Sequence, residues 1–135
     1  MSTFLLEIVT PERKVYAQDA RMIIAKGSKG ELGILPNHIP LVTPLRIAPL
    51  TVKHEDGKSE TIAVNGGFME VRKDKVVILA ESAELPGDID VERARAAKER
   101  AEKRLSQSKD EVDFRRAERA LQRAMSRIEV YERKR

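Results

Sequence analysis

The residues best suited to chemistry are charged ones grouped in the last third of the chain. Residues 88–94 read DIDVERA and residues 111–117 read EVDFRRA, so one phrase occurs twice, each time with an Asp three positions ahead of an Arg. On a helix that spacing puts Asp90 with Arg93, and Asp113 with Arg116, on shared faces. An Asp near a helix start meets the positive end of the helix dipole, which accounts for the second copy. The first copy adds Glu84 just upstream. Further on, Arg115, Arg119, Arg123 and Arg127 recur every four residues, and Glu118 is the only acid between Phe114 and Ile128. A hairpin that set Glu84 opposite this stripe would place an acceptor for an adenine amino group or a ribose hydroxyl beside guanidinium groups that grip phosphates. The plainer reading of the stripe is a solvated basic face. No GxxxxGK[ST] phosphate loop occurs. Two histidines and no cysteine leave no evident activated nucleophile or thiolate metal site.

These residues need a scaffold, and the chain changes character where it would supply one. Of 26 Lys and Arg and 22 Asp and Glu, 11 of each lie up to Leu85, so the whole net charge of +4 belongs to the segment from Pro86 onward. That excess favours an acidic partner: nucleic acid, a nucleotide or an acidic protein surface. The length of 135 residues fits one domain with a small second module. With 4% aromatic residues and no Trp, the core must be built from Val, Ile, Leu, Ala and Met. The apolar run at the start, FLLEIV, is too short for a signal peptide, and no stretch approaches membrane-spanning length.

Up to residue 85 the pattern is that of short strands: FLLEIV, RMIIA, ETIAV and KVVIL, separated by turn-forming clusters such as LPNHIP, EDGK and NGG. The Asp56-Gly57 pair predicts a hairpin. Four prolines between 36 and 49 are expected to guard edges and set turns rather than sit in central strands. The expected architecture is an all-β sandwich over 1–85. Pro86-Gly87 then ends the strand pattern, and no Pro or Gly follows. The remainder, 86–135, predicts two helices, roughly 88–105 and 110–133, joined by the polar LSQSKD segment as an antiparallel α-helical hairpin. The second helix would be about 35 Å long. Val91, Ala94, Ala97, Ala101 and Leu105 would face Phe114, Ala117, Leu121, Ala124, Met125, Ile128 and Tyr131. A seam so rich in alanine buries little area, so the hairpin is expected to be marginal and movable.

Two runs in the N-terminal part are specific. GELGILPNHIPLVTPL (30–45) and VNGGFMEV (64–71) closely resemble the epsilon subunit of bacterial F-type ATP synthases, and the order of sandwich then hairpin is similar across the chain. The tail looks most like that of bacilli. The resemblance implies a sandwich of about ten strands. It also implies a non-catalytic rotor subunit of the proton-translocating enzyme, bound to the gamma subunit and the c-ring, with Glu31 and His38 on the ring-facing end. Such a subunit lies peripherally on the cytoplasmic face of the plasma membrane. The resemblance further implies a hairpin that either folds down on the sandwich or extends into the alpha/beta catalytic head, where it inhibits ATP hydrolysis and where Arg115 and Arg119 would meet acidic partner surfaces. In bacillus-type members the pattern [I/L]-D-x-x-R-A binds ATP as a regulatory ligand in the lowered form. Here Ile89, Asp90, Arg93 and Ala94 fill that pattern, with Glu84 upstream and Arg123 and Arg127 on the second helix as companions. No catalytic cofactor, metal or nucleic acid is implied. The residues taken without the resemblance leave a different function open, a nucleic-acid-binding protein with a basic hairpin. Its weakness is the scarcity of aromatic residues for stacking on bases. A small enzyme built on Asp/Glu pairs is a remoter reading.

Overall fold

The computed structural model describes residues 2–133. Eight strands come first: β1 (Phe4–Val9), β2 (Lys14–Ala20), β3 (Met22–Gly27), β4 (Gly30–Ile34), β5 (Leu41–Lys53), β6 (Ser59–Val71), β7 (Lys75–Ala80) and β8 (Ala83–Glu84). A 3₁₀ turn at Pro86–Asp88 leads into two helices, α1 (Val91–Gln107) and α2 (Glu111–Glu132). The strands pair in the order β2-β1-β7-β6-β5-β3-β4, with β8 added on β6.

Eight strands serve where ten are expected, because β5 and β6 are 13 residues each and each belongs to two layers. The second part of β6, Gly67–Val71, pairs with β7, while Ala63 and Val64 pair with β8. The partner β5 pairs with β3 only through Leu45 and through Thr51–Lys53. The corner between the layers lies at Gly66-Gly67, where both glycines have positive φ (81° and 131°). A Cβ on Gly67 would lie 2.0 Å from the Leu79 carbonyl oxygen, so only glycine permits this approach of β6 to β7. The specific VNGGFMEV run therefore encodes the corner.

The prolines correct an expectation. Pro44 and Pro49 sit inside β5, a central strand. Both fall where β5 has no β3 partner, so on that side the missing N–H interrupts no ladder. The Asp56-Gly57 turn does join β5 to β6: the Asp56 carboxylate accepts from the Lys58 N–H at 2.9 Å, and Gly57 has φ 88°.

The core lies between the layers. Leu6, Ile8, Met69 and Ile78 from one side meet Ile23, Ile34, Leu50, Val52 and Ile62 from the other. Alternation along β6 turns Ile62 and Val64 into this core and Ala63 outward, where it meets Ile89 and Val130. The hairpin thus rests on the sandwich through α2, against β5 and β6. α1 starts at Val91 rather than near 88, because Pro86–Asp88 forms the tighter turn and Asp90 caps the helix.

The seam between the helices is narrower than its sequence pattern. Ala94, Ala101, Ala117 and Ala124 are buried, whereas Phe114 and Met125, expected in the seam, are 44% and 50% exposed. α2 has a second buried line, Ser126 and Val130, which faces the sheet. A helix serving two neighbours divides its apolar residues between two directions, and a search for one stripe finds only the first.

Candidate functional site

The expected site residues fall around the junction of β8, the 3₁₀ turn, the start of α1 and the last turns of α2. Glu84 ends β8, and its carboxylate accepts from Arg127 Nε of α2. Both side chains are a little under one-third exposed. This ion pair ties hairpin to sandwich. Ile89 is buried beside Ala63 and Val130, so its side chain anchors the turn under the helix. Asp90 is the N-cap of α1: its Oδ1 accepts from the Arg93 N–H at 3.1 Å. That bond meets one of the helix's unsatisfied N–H groups and fixes where the helix begins. Ala94 is buried, and its methyl group lets the helices approach closely.

Among the described residues, Arg93 and Arg123 have no hydrogen bond or ion pair to another side chain. Arg93 is exposed and Arg123 half-buried. The junction therefore holds one carboxylate already paired with an arginine, one capping carboxylate with its second oxygen uncommitted, and the uncommitted Arg93; Arg123 lies one turn before Arg127 on α2 and lines the cleft toward β5 and β6. Such a donor set fits a polyanion with a hydrogen-bonding base, and nothing in it makes a nucleophile. No group of His, Cys, Asp or Glu among the described residues is placed to hold a metal ion.

The two copies of the repeated phrase differ in role. Asp110, not Asp113, is the N-cap of α2, and its carboxylate accepts from the Asp113 N–H at 2.8 Å. Asp113 is therefore one turn further in than Asp90, and Arg116 is exposed with no Glu84-like partner beside it.

The arginine stripe is not a single face. Rows of four residues are inclined to a helix axis, so successive members turn progressively around it. Arg115 is exposed and pairs with Glu111 at 2.6 Å. Arg119 and Arg123 line a cleft between α2 and the corner of β5 and β6. Arg127 lies on the Glu84 side. Glu31 and His38 lie away from this junction. Glu31 is exposed on β4, and His38 sits in a turn whose N–H donates to the Leu35 carbonyl at 3.2 Å, after Asn37 with φ 66°. Leu35 and Ile39 on either side of that turn are among the exposed apolar residues.

Two groups of polar residues were missed by the sequence pattern. Glu7 is buried in β1 and salt-bridged by Lys14 and Lys75 at 2.5 Å each. Hydrogen bonds from Lys14 and then Lys75 hold its carboxyl down at about 2. Tyr16 donates to Glu60 at 2.9 Å, and His54 Nε2 lies 2.6 Å from the same carboxylate oxygen. Burial, followed by the Glu60 carboxylate, holds the Tyr16 hydroxyl protonated well beyond its usual range. Each group is completed by a residue distant in sequence, Lys75 for Glu7 and Tyr16 for Glu60, so no local signal marks them.

The fold is thus a β-sandwich with a two-helix hairpin resting on it through a charged junction. Residues 3–86 match the family described as the ATP synthase Delta/Epsilon chain beta-sandwich domain, and residues 88–132 match the ATP synthase Delta/Epsilon chain long alpha-helix domain. The chain belongs to the ATP synthase delta/epsilon family, a non-catalytic component of that enzyme. It is 65% identical over 113 residues to the ATP synthase epsilon chain of Brevibacillus brevis, covering 84% of this chain and 86% of the relative. It is 56% identical over 131 residues to that of Halalkalibacterium halodurans, covering 96% and 98%. Among solved structures, a chain of the Euglena gracilis mitochondrial ATP synthase OSCP/F1/c-ring assembly superposes with TM-score 0.79 at 27% identity, covering 93% of this chain and 79% of that one. A chain from the Tetrahymena thermophila central stalk and c-ring shares the fold, with TM-score 0.60 at 18% identity, covering 96% and 94%. No helix among the described residues is long and apolar enough to cross a membrane.

Proposed function

We propose that this chain is a rotor subunit of a proton-translocating ATP synthase whose hairpin, lowered here onto the sandwich, is released to inhibit ATP hydrolysis and is held down by ATP. The observation that carries the reading is the Glu84–Arg127 pair, which joins the hairpin to the sandwich next to the turn that Asp90 caps, with Arg93 uncommitted and Arg123 one turn before Arg127 on α2. The fold of the Euglena assembly chain supports the stalk placement.

In the lowered form the triphosphate meets Arg93 and Arg123, and the base or ribose meets the free oxygen of Asp90 or shares Glu84 with Arg127. Hydrogen bonds involving charged groups contribute about 1.5–3 kcal/mol each before ordering costs, which places affinity in the roughly millimolar-to-micromolar range. A ligand that binds only the lowered form stabilises it by about 2.7 kcal/mol at about 100 times its dissociation constant. The hairpin rests on few large apolar contacts, chiefly Ile89, Val130 and Ala63, so a bias of that size is enough to choose between postures.

Partners divide the sandwich. Across β5, β6, β7 and β1, Pro44, Phe68, Leu79 and Val9 stand in one row on the side away from the core, with Val42 beside them. Phe68 and Leu79 are each 53% exposed, which suits a stable protein contact. This row serves the gamma subunit. The Leu35–Ile39 turn, with Glu31 and His38 close by, serves the c-ring, and the assembly holds the chain at the cytoplasmic face of the membrane. When the hairpin extends, Arg115 and Arg119 meet acidic surfaces of the alpha/beta head.

The test is calorimetric titration of the whole chain with ATP. Saturable binding lost in Asp90→Asn and Arg123→Ala is the expected result. Absence of binding at several millimolar, above the dissociation constant of about 1 mM at the weak end of the millimolar-to-micromolar range, removes the nucleotide from the account.

A further inference from the structure

We propose that the cleft between α2 and the β5–β6 corner is a second anion site, taking a condensed phosphate such as tripolyphosphate. It rests partly on the nucleotide reading, with which it shares Arg123, and goes beyond it, because Glu84, Asp90 and Arg93 do not line the cleft while Lys26, Arg46 and Arg119 do. The cleft has a volume of about 770 Å³ and is lined by Lys26 from β3, Arg46 from β5, and Arg119, Arg123 and Ser126 from α2. Against these four cations stand two carboxylates, Glu81 and Glu129, and Glu129 is already paired with Arg133 at 2.9 Å.

Three observations converge on an anion. On α2 and its C-cap, Arg115, Arg127 and Arg133 each pair with a carboxylate; Arg119 and Arg123, which line the cleft, have no carboxylate partner among the described residues, like the exposed Arg116 outside it, and neither has Lys26 on the sandwich side. Next, Ser126 is 4% exposed, lines the same cleft, and its hydroxyl has no hydrogen-bond partner. A buried hydroxyl left without a partner is costly, and an oxyanion accepting from it removes that cost. Finally, cationic side chains gathered from separate elements are what a phosphate group needs for several charge-assisted hydrogen bonds. Size selects among phosphates: a water occupies about 30 Å³, so the cleft holds far more than a single phosphate group.

The consequence is mechanical. An anion that bridges Arg119 and Ser126 on α2 to Lys26 and Arg46 on the sandwich ties the helix to the sheet. It therefore favours the lowered hairpin independently of any contact at Asp90.

The experiment titrates sodium tripolyphosphate into the whole chain at low salt, following heat and thermal unfolding. Saturable one-to-one binding is expected, weakened about tenfold or more in Lys26→Gln and Arg119→Gln and measurably in Ser126→Ala. It should be unchanged in Asp90→Asn, and in Arg104→Gln, which removes an exposed cation of α1. Circular dichroism confirms that each variant is folded. Three results each overturn the proposal: no saturable binding; equal weakening by Arg104→Gln, which means diffuse charge; or loss in Asp90→Asn with retention in Arg119→Gln, which puts the anion at the nucleotide junction. The two readings fail separately, because Asp90→Asn should remove ATP binding while leaving tripolyphosphate binding intact.

Discussion

Removing the guanidinium of Arg127 should loosen the hairpin without unfolding the sandwich. Arg127 Nε donates to the Glu84 carboxylate, with 28% of one side chain and 29% of the other exposed. A charge-assisted bond of this kind contributes about 1.5–3 kcal/mol when well shielded, and partial solvent access brings the figure to about 1 kcal/mol. That corresponds to a change of about fivefold in the balance between lowered and released hairpins. A double-mutant cycle over Arg127→Ala and Glu84→Gln isolates the term, provided neither variant forms new contacts. Hydrogen exchange of α2 amides reads the hairpin, and exchange in β6 and β7 reads the sandwich. The expected coupling is about 1 kcal/mol in α2 opening, with β6 and β7 unaffected. A coupling below about 0.3 kcal/mol, within the usual error of additivity, refutes the ion pair as a tie.

Further expectations concern the parts that surround this tie. Gly67→Ala should cost roughly 2–5 kcal/mol in urea unfolding, since its Cβ would strike the Leu79 carbonyl at 2.0 Å and φ is 131°. A loss under about 1 kcal/mol, far below that range, contradicts the account of the corner. Val130→Ala should raise α2 exchange at a cost of roughly 1–3 kcal/mol while the core of β1 and β7 keeps its protection. Equal loss everywhere would show that the hairpin and sandwich unfold as one unit. Glu7 gives a pH signature. Its carboxyl is lowered from 4.5 to about 2, so its contribution is present above pH 4.5 and is lost as the pH falls toward 2. Glu7→Gln should remove that part of the acid slope, and an unchanged slope refutes the assignment.

The sandwich was legible where strands alternate and turns announce themselves, as in FLLEIV and at Asp56-Gly57. It was hidden where rules conflict. β5 carries two prolines, and a reading from residue type sets them in turns; only the gap in its pairing to β3 explains why they are tolerated. The strand count differed for a related reason, since a chain that bends through two layers at Gly66-Gly67 need not stop being a strand. In the hairpin, the alanine seam was visible from spacing, but the second buried line was not: Val130 packs on Ala63 and Ile89 from outside the helices, and Ser126 is buried on the side toward the sheet. The pairing of Glu84 with Arg127 spans 43 residues, and charge spacing alone could suggest it but not choose Arg127 among four arginines. The DIDVERA segment, which resembles a nucleotide-binding pattern, falls where the 3₁₀ turn leads into α1, whereas Lys26 and Arg46 carried no mark of their own before the cleft joined them to α2.

The central claim is that the hairpin has two postures and that ATP favours the lowered one. The chain has no cysteine, so Ser28→Cys and Glu118→Cys provide a clean pair of sites for spin labels. Pulsed electron spin resonance distances on the full chain, with and without saturating ATP, measure the posture directly. The account predicts a single distribution matching the lowered form with ATP, and a second, longer population that grows when ATP is removed. Identical distributions under both conditions would contradict it.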